Sequence, residues 1–210
     1  IENLSALSPL HNPSNLSGYR VAKKLIPSRP HYGVFDTAFH RTLPPHAFTY
    51  PGPYAWLDQG IRRYGFHGTS FRWATRRAAS LLGHTGPHGL RLVICHLGGG
   101  CSLCAVRDGR SVDTTMGFTP LDGIAMCTRS GAVDPGILIY LQRQGTSADA
   151  LEKMLNKESG LKGLSGHAGD TRILRPLADG SDVRARLALS VFVHRLRAGI
   201  AAVWWALGGM

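Results

Sequence analysis

Acid is scarce in this sequence. Its 210 residues carry 13 Asp and Glu against 24 Lys and Arg, a net charge of +11. That balance points to an anionic partner: nucleic acid, a membrane surface or phosphorylated small molecules. The basic runs at 62–63, 72–77 and 184–197 come with no recognisable nucleic-acid motif. They read as arginines on solvated helix faces. Cysteine is also sparse, at Cys95, Cys101, Cys104 and Cys127. The Cys101/Cys104 pair has no second such pair and no matching histidines, so a zinc site finds little support. It sits in a β-like stretch, where residues three apart point to opposite faces, which argues against a redox dithiol. All four read as reduced, partly buried thiols, as in a cytoplasmic protein. No apolar run reaches 18 residues, no signal peptide is visible, and there is no repeat or low-complexity tract. The sequence starts on Ile1 rather than Met, and its last apolar segment runs straight into Gly208-Gly209-Met210. This reads as part of a longer protein.

Glycine is plentiful, at 26 residues, and is clustered. With 43% hydrophobic and 18% charged residues the chain is expected to fold, as one large domain or one and a half smaller ones. Helices are expected at 17–26 (capped by Ser17), 69–82, 135–143, 147–157 and 183–207. In the 69–82 helix, Ala74, Ala78, Leu81 and Leu82 share one face, opposite the arginines. Strands are expected at 31–35, 90–95, 101–107 and 110–115, with a proline-rich loop at 44–53. The 90–95 strand is apolar on both faces, which predicts an interior position. Asp108-Gly109 predicts a type I′ hairpin turn. The order is mixed α/β.

Three stretches carry chemistry. In the first, a buried strand ends in His96-Leu97-Gly98-Gly99-Gly100 and leads into a hairpin. Glycines after a strand let backbone N–H groups approach an anion. No Walker lysine follows, and a hairpin rather than a helix comes next, which excludes a P-loop and a dinucleotide fingerprint. A phosphate loop and a plain glycine turn remain. The same region continues to Thr128-Arg129-Ser130, where Arg129 suits a phosphate or carboxylate clamp, or a surface pair with Asp113 or Asp134. The second stretch is Arg63-Tyr64-Gly65-Phe66-His67-Gly68-Thr69-Ser70. Its histidine precedes a helix start, an arrangement open to an anion or to simple packing. The third stretch places Asp36 after an expected strand, as ligand or base, or else as a cap or turn-former.

Taken together, these stretches resemble the acetate kinase family, which includes propionate and butyrate kinases. The resemblance runs through 9–13, 34–40, 63–70, 95–98, 111–121 and 128–131, and covers essentially the whole chain. It implies an actin-like ATPase fold, of the sugar kinase, chaperone ATPase and ribonuclease H-like type, in incomplete form. Residues 1–88 would then be the end of a first actin-like domain with connecting segments, and residues 89–210 the start of a second. The implied reaction is reversible transfer of the ATP γ-phosphate to acetate, giving acetyl phosphate and ADP, with Mg²⁺. A propionate or other short-chain acid kinase, or a truncated nucleotide-binding remnant, is the alternative.

The resemblance implies catalytic roles for Asp36, His67 and Arg129, the last two stabilising the phosphoryl group in flight. It places His96, Leu97, Gly98, Gly99 and Gly100 at the nucleotide phosphates. Asp170, Thr171 and Arg172 would lie near the adenosine, and Leu10, Phe66 and Pro120 in the acetate pocket. No direct metal ligand is implied within this segment, Asp36 acting on magnesium through water. The implied partners are ATP or ADP and a short carboxylic acid, in a cytoplasmic homodimer, with neither nucleic acid nor membrane.

Four positions depart from the family pattern: Gly99 stands for Asn, Phe71 for His, Cys127 for Gly and Ala132 for Asp. The family's Asn-x-Gly-Ser-Ser-Ser loop, a further arginine, a later adenosine loop and a magnesium-binding glutamate are not in this sequence. Weak or no turnover is therefore expected from the 210 residues alone. A coupled acetyl-phosphate assay checks this, and normal turnover would refute it.

Overall fold

Alternating apolar residues in the middle of the chain build the sheet on which everything else rests. The structure, a computed structural model, describes Glu2 and residues 12–209. Three antiparallel strands, β1 (Arg91–Leu97), β2 (Cys101–Arg107) and β3 (Arg110–Thr114), lie in the order β1-β2-β3. The β2–β3 turn has φ of 52° at Asp108 and 77° at Gly109, the left-handed pair that a type I′ turn demands. β2 is central and buried from Cys101 to Val106. A register shift interrupts its pairing with β3 between Ala105 and Val106.

The helices, among the described residues, are α1 (Asn12–Leu25), α2 (Pro45–Phe48), α3 (Ala55–Asp58), α4 (Gly68–Leu81), α5 (Pro135–Arg143), α6 (Ala148–Lys157), α7 (Gly160–Ser165), α8 (Thr171–Asp179) and α9 (Val183–Trp205). A 3₁₀ turn spans Ala38–Thr42. One sheet face carries Cys101, Leu103 and Ala105 against Met116, Ile124, Met126 and the α9 residues Leu196, Ile200 and Val203. The other carries Cys104 and Val106, with Leu92 and Ile94 of β1, against Phe71 of α4 and Phe39. The result is three layers, helix on sheet on helix. A third cluster, Leu161, Leu174, Ala178, Ala185 and Ala188, ties α7 and α8 to α9. α9 comes close to β2 at Gly199, where a β-carbon would lie 2.7 Å from Leu103 Cδ1. By length and mean hydropathy α9 could also cross a bilayer. In this fold one of its faces packs on the sheet.

Several expectations need correction. β1 is an edge strand among the described residues, not an interior one. Its two apolar faces are explained by cover from α9 on one side and α4 on the other, which says nothing about its edges. Residues 31–35 form no strand: among the described residues no neighbour pairs with them, and Val34 is 80% exposed. α1 starts at Asn12 rather than Ser17. α4 sits within one residue of its expected bounds but buries Phe71, Thr75 and Ala79, leaving Leu81 and Leu82 exposed. Contact with Cys104 and Val106 of the sheet selects the Phe71 face, and even Trp73, the largest side chain of α4, stays outside. The 3₁₀ turn, α7 and α8 had no distinct expectation, and α2 lies inside the proline-rich loop.

α4 is docked at its N-terminus. Gly68 N donates to the Asp36 carbonyl at 2.9 Å, and a β-carbon at Gly68 would overlap that oxygen. Gly68→Ala is therefore expected to destabilise the chain by about 1–3 kcal/mol, the usual cost of overpacking. Urea unfolding followed by tryptophan fluorescence measures the effect.

Candidate functional site

The Arg63–Ser70 stretch divides into a structural half and a cleft-facing half. Arg63 Nη1 donates to the carbonyls of Thr114, Thr115 and Met116 at 2.7, 3.0 and 3.1 Å. Tyr64 N and Gly65 N both donate to Gly117 O. These bonds strap the segment to the end of β3. His40, almost fully buried, completes the strap through Ser111 Oγ (2.8 Å) and Phe66 O (2.9 Å). Burial lowers the His40 pKa, so the ring is held neutral.

The chain then turns at His67, whose φ of 57° and ψ of 23° are left-handed. The turn is held by Asp36, whose carboxylate accepts from His67 N at 2.5 Å and Thr69 N at 3.3 Å. Asp36 thus acts as a cap supplied by a distant segment, placing a negative charge at the helix N-terminus. The capping possibility left open by the sequence is the geometry observed. The His67 ring stacks on His96, with centroids 3.9 Å apart and planes at 19°. Its Nδ1 meets Ser102 Oγ at 2.7 Å, and His96 Nδ1 meets Ser70 Oγ at 2.9 Å. Burial first, then the neighbouring His96, push the His67 pKa down to about 4, with Asp36 opposing.

The glycine loop follows β1. A β-carbon at Gly100 would lie 3.3 Å from the His67 ring and 3.4 Å from Arg129 Nη1, so these three groups converge on one spot. Arg129 Nη1 donates to Pro120 O at 3.0 Å and touches Met126 Sδ at 3.7 Å. Among the described residues it makes no ion pair. The surface pairings with Asp113 or Asp134 do not form: Asp113 accepts from Thr114 N, and Asp134 caps α5. Arg129 is half-buried, and burial without a carboxylate makes its charge costly. An anion would offset that cost.

The remaining sites scatter around this centre. Cys127 N donates to Gly99 O at 3.2 Å, and Gly169 packs against the Cys127 backbone. This brings Asp170 to the far side of the glycine loop. Asp170 caps α8 through Arg172 N, and Arg172, an exposed side chain, grips the same carboxylate at 2.5 Å. These bonds hold the Asp170 pKa down at about 2. Thr171 is the first residue of α8 and is exposed. Leu97 is 51% exposed at the mouth of the loop. Phe66 packs against the core beneath the site. Leu10 lies outside the described residues. Ser70 belongs to the helix-start stretch whose hydroxyls suit an anion, but here it holds the His96 ring, and Ser102, which holds His67, has no role in the sequence reading. Ser70 three residues beyond His67, and a serine inside an otherwise apolar strand, were the available signals.

A glycine loop, two stacked imidazoles and a guanidinium thus meet on an α/β frame, an arrangement whose chemistry suits an anion. Over residues 1–210 the chain matches the model of the acetokinase family. It is 55% identical over 212 residues to the acetate kinase of Gloeobacter violaceus, covering 100% of this chain and 52% of that protein. It is 54% identical over 207 residues to the acetate kinase of a Synechococcus strain, covering 99% and 51%. The crystal structure of Porphyromonas gingivalis acetate kinase superposes with a TM-score of 0.92 at 40% identity, covering 100% of this chain and 53% of that one. A propionate kinase from Francisella tularensis gives 0.91 at 43% identity, covering 96% and 52%. The chain belongs to the acetokinase family and has the actin-like fold of these kinases. It spans about half the length of the curated relatives it matches.

The two lowered histidines make a pH prediction. Both bind protons more weakly folded than unfolded, where an imidazole titrates near about 6.5. The unfolded state thus binds more protons below that value, and stability rises with pH through this window. Their contribution is complete above about pH 6.5 and is lost as the pH falls towards 4. Melting temperature is expected to fall by several degrees between about pH 7 and pH 5, and His40→Gln to flatten part of that slope. Calorimetry across the range checks both.

Proposed function

We propose that this chain supplies one wall of a phosphotransfer cleft that moves the γ-phosphate of ATP to the carboxylate of acetate. An acetate oxygen forms the new bond to phosphorus as the bond to the ADP oxygen breaks, giving acetyl phosphate and ADP. The carrying observation is the convergence of Arg129 and His67 at Gly100, with no acidic partner for Arg129 among the described residues. A planar guanidinium can hold a carboxylate and a phosphoryl oxygen at once. Phosphoryl transfer needs positioning and charge neutralisation above all, and these groups supply both. The glycine loop would take the nucleotide phosphates beside His96. Asp170, Thr171 and Arg172 would lie towards the adenosine, and Phe66 and Pro120 towards the acid's methyl group. Asp36 serves this reading by fixing His67.

Magnesium is a poor fit to the residues present. Among the described residues no cluster of three His, Cys, Asp or Glu could hold a metal, and both Asp36 oxygens accept backbone N–H groups. We assign no step to the ion; it would come with the nucleotide. In this reading the two chain segments, 1–88 and 89–210, belong to two successive actin-like domains of a longer cytoplasmic, homodimeric enzyme. The likeness to the Francisella propionate kinase keeps a slightly longer acid as the second reading.

Arg129→Ala is expected to weaken acetyl phosphate binding by about tenfold or more, the worth of a charge-assisted hydrogen bond. In any preparation with transfer activity it should also lower kcat by about 10²–10³. Calorimetric titration and a coupled assay measure these. Unchanged acetyl phosphate affinity would refute the assignment.

A further inference from the structure

His67 and His96 are tied crosswise. His67 heads α4, and its Nδ1 lies 2.7 Å from Ser102 Oγ on β2. His96 stands on β1, and its Nδ1 lies 2.9 Å from Ser70 Oγ on α4. Each ring is held by a hydroxyl from another element. Stacking at 3.9 Å fixes both ring planes, so the serines decide which nitrogen carries the proton. A neutral imidazole has one donor and one acceptor nitrogen.

The outward edges of the rings face the glycine loop. A β-carbon at Gly98 would lie 3.4 Å from His96 Nε2, and one at Gly100 3.3 Å from His67 Nε2. Among the described residues no hydrogen bond reaches either Nε2. Ser102 fixes the proton's location: it is fully buried, and its hydroxyl bonds only to His67 Nδ1 among the described residues. If its oxygen accepted from Nδ1–H, its own hydrogen would be buried without a partner, at a cost of about 1–3 kcal/mol. Donation to Nδ1 satisfies that hydrogen and leaves the ring proton on Nε2. Ser70, whose hydroxyl bonds to His96 Nδ1 and to nothing else among the described residues, would give His96 the same tautomer by donating in the same way. Two cationic rings stacked this closely would repel each other.

We propose that Ser102 and Ser70 are positioning residues that donate to Nδ1 of His67 and His96 and lock both rings as neutral Nε2–H tautomers, a pair of uncharged donors aimed at an anion beside Gly98–Gly100. The anion half of this statement rests on the phosphotransfer reading above; the tautomer lock does not. Burial above all, then His96, Arg129 and His40, keep His67 uncharged, and Asp36 alone among its charged neighbours opposes them.

The test uses the chain labelled with ¹⁵N-histidine at a single pH near 8. Long-range ¹H–¹⁵N correlation reads the protonated nitrogen, with His67→Gln and His96→Gln giving the assignments. Both rings are expected to carry the proton on Nε2. Ser102→Ala should convert His67 to a tautomer mixture and leave His96 unchanged. Ser70→Ala should do the converse, and Ser70→Thr should restore the wild-type pattern. Wild-type rings protonated on Nδ1 would overturn the proposal, as would alanine variants that keep dispersed amide spectra and unchanged tautomers. Should Ser102→Ala unfold, Ser70→Ala, on the half-exposed face of α4, decides the matter. Inorganic phosphate is then titrated into each variant. Ser102→Ala is expected to bind it roughly threefold to tenfold more weakly, the net worth of one hydrogen bond. Correct tautomers in a wild-type chain that binds no phosphate would count against the phosphotransfer reading and leave the tautomer lock standing.

Discussion

The site depends on the capping of α4 by Asp36. That carboxylate comes from 31 positions earlier in the chain and accepts from His67 N. Its backbone carbonyl accepts from Gly68 N. Together these bonds hold His67 in a left-handed conformation that a residue with a β-carbon adopts only under constraint. A helix entering by an ordinary extended N-cap would aim that ring elsewhere. The stack on His96, the contact with Ser102 and the approach to Gly100 all follow from this one junction. A strained backbone at a cleft, held by surrounding bonds, is a common way to pre-organise a functional group.

The charge distribution follows from the same frame. Arg129 brings a full positive charge into a half-buried place and, among the described residues, hydrogen-bonds only a carbonyl and a thioether. The imidazoles beside it add donors without adding a second fixed charge. A cleft with one cation and several neutral donors can hold a phosphoryl group through changes in its charge. A cleft of several buried cations would carry a heavier desolvation cost before any ligand arrived. Arg63, from the same sequence motif, is spent differently. Its bonds go to three backbone carbonyls, and its carboxylate neighbour Asp122 stands off at 3.8 Å.

Much of this was legible in the sequence where a local rule governs. Asp108-Gly109 specified its turn, Ser147 and Pro135 marked their helix starts, and the glycine cluster marked the loop. The illegible parts are those set by distant partners. The 31–35 segment has strand composition, but a strand needs a neighbour. α4 has two plausible apolar faces, and only the position of the sheet selects Phe71 over Leu82. Asp36 reads equally as a base and as a cap until the helix it caps is placed beside it. Ser70 and Ser102 are unremarkable residue types that gain meaning only through the rings they touch.

The three loop glycines are not equivalent, and the difference bears on the family departure at Gly99. A β-carbon at Gly98 would only touch His96 Nε2, at 3.4 Å, whereas one at Gly100 would press on the His67 ring at 3.3 Å and stand beside Arg129, where the anion is proposed to sit. At Gly99 a β-carbon would meet nothing within 4 Å, and its backbone is not left-handed. Steric need therefore favours glycine at 100, is slight at 98 and is absent at 99. A larger residue fits position 99, including the Asn that the family resemblance implies there. What holds the middle of the loop is backbone: Gly99 O accepts from Cys127 N, and Gly98 N donates to Gly100 O. Both bonds survive any side chain at position 99. The departure thus removes a possible ligand contact while leaving the shape of the loop, and the aim of both histidines, in place.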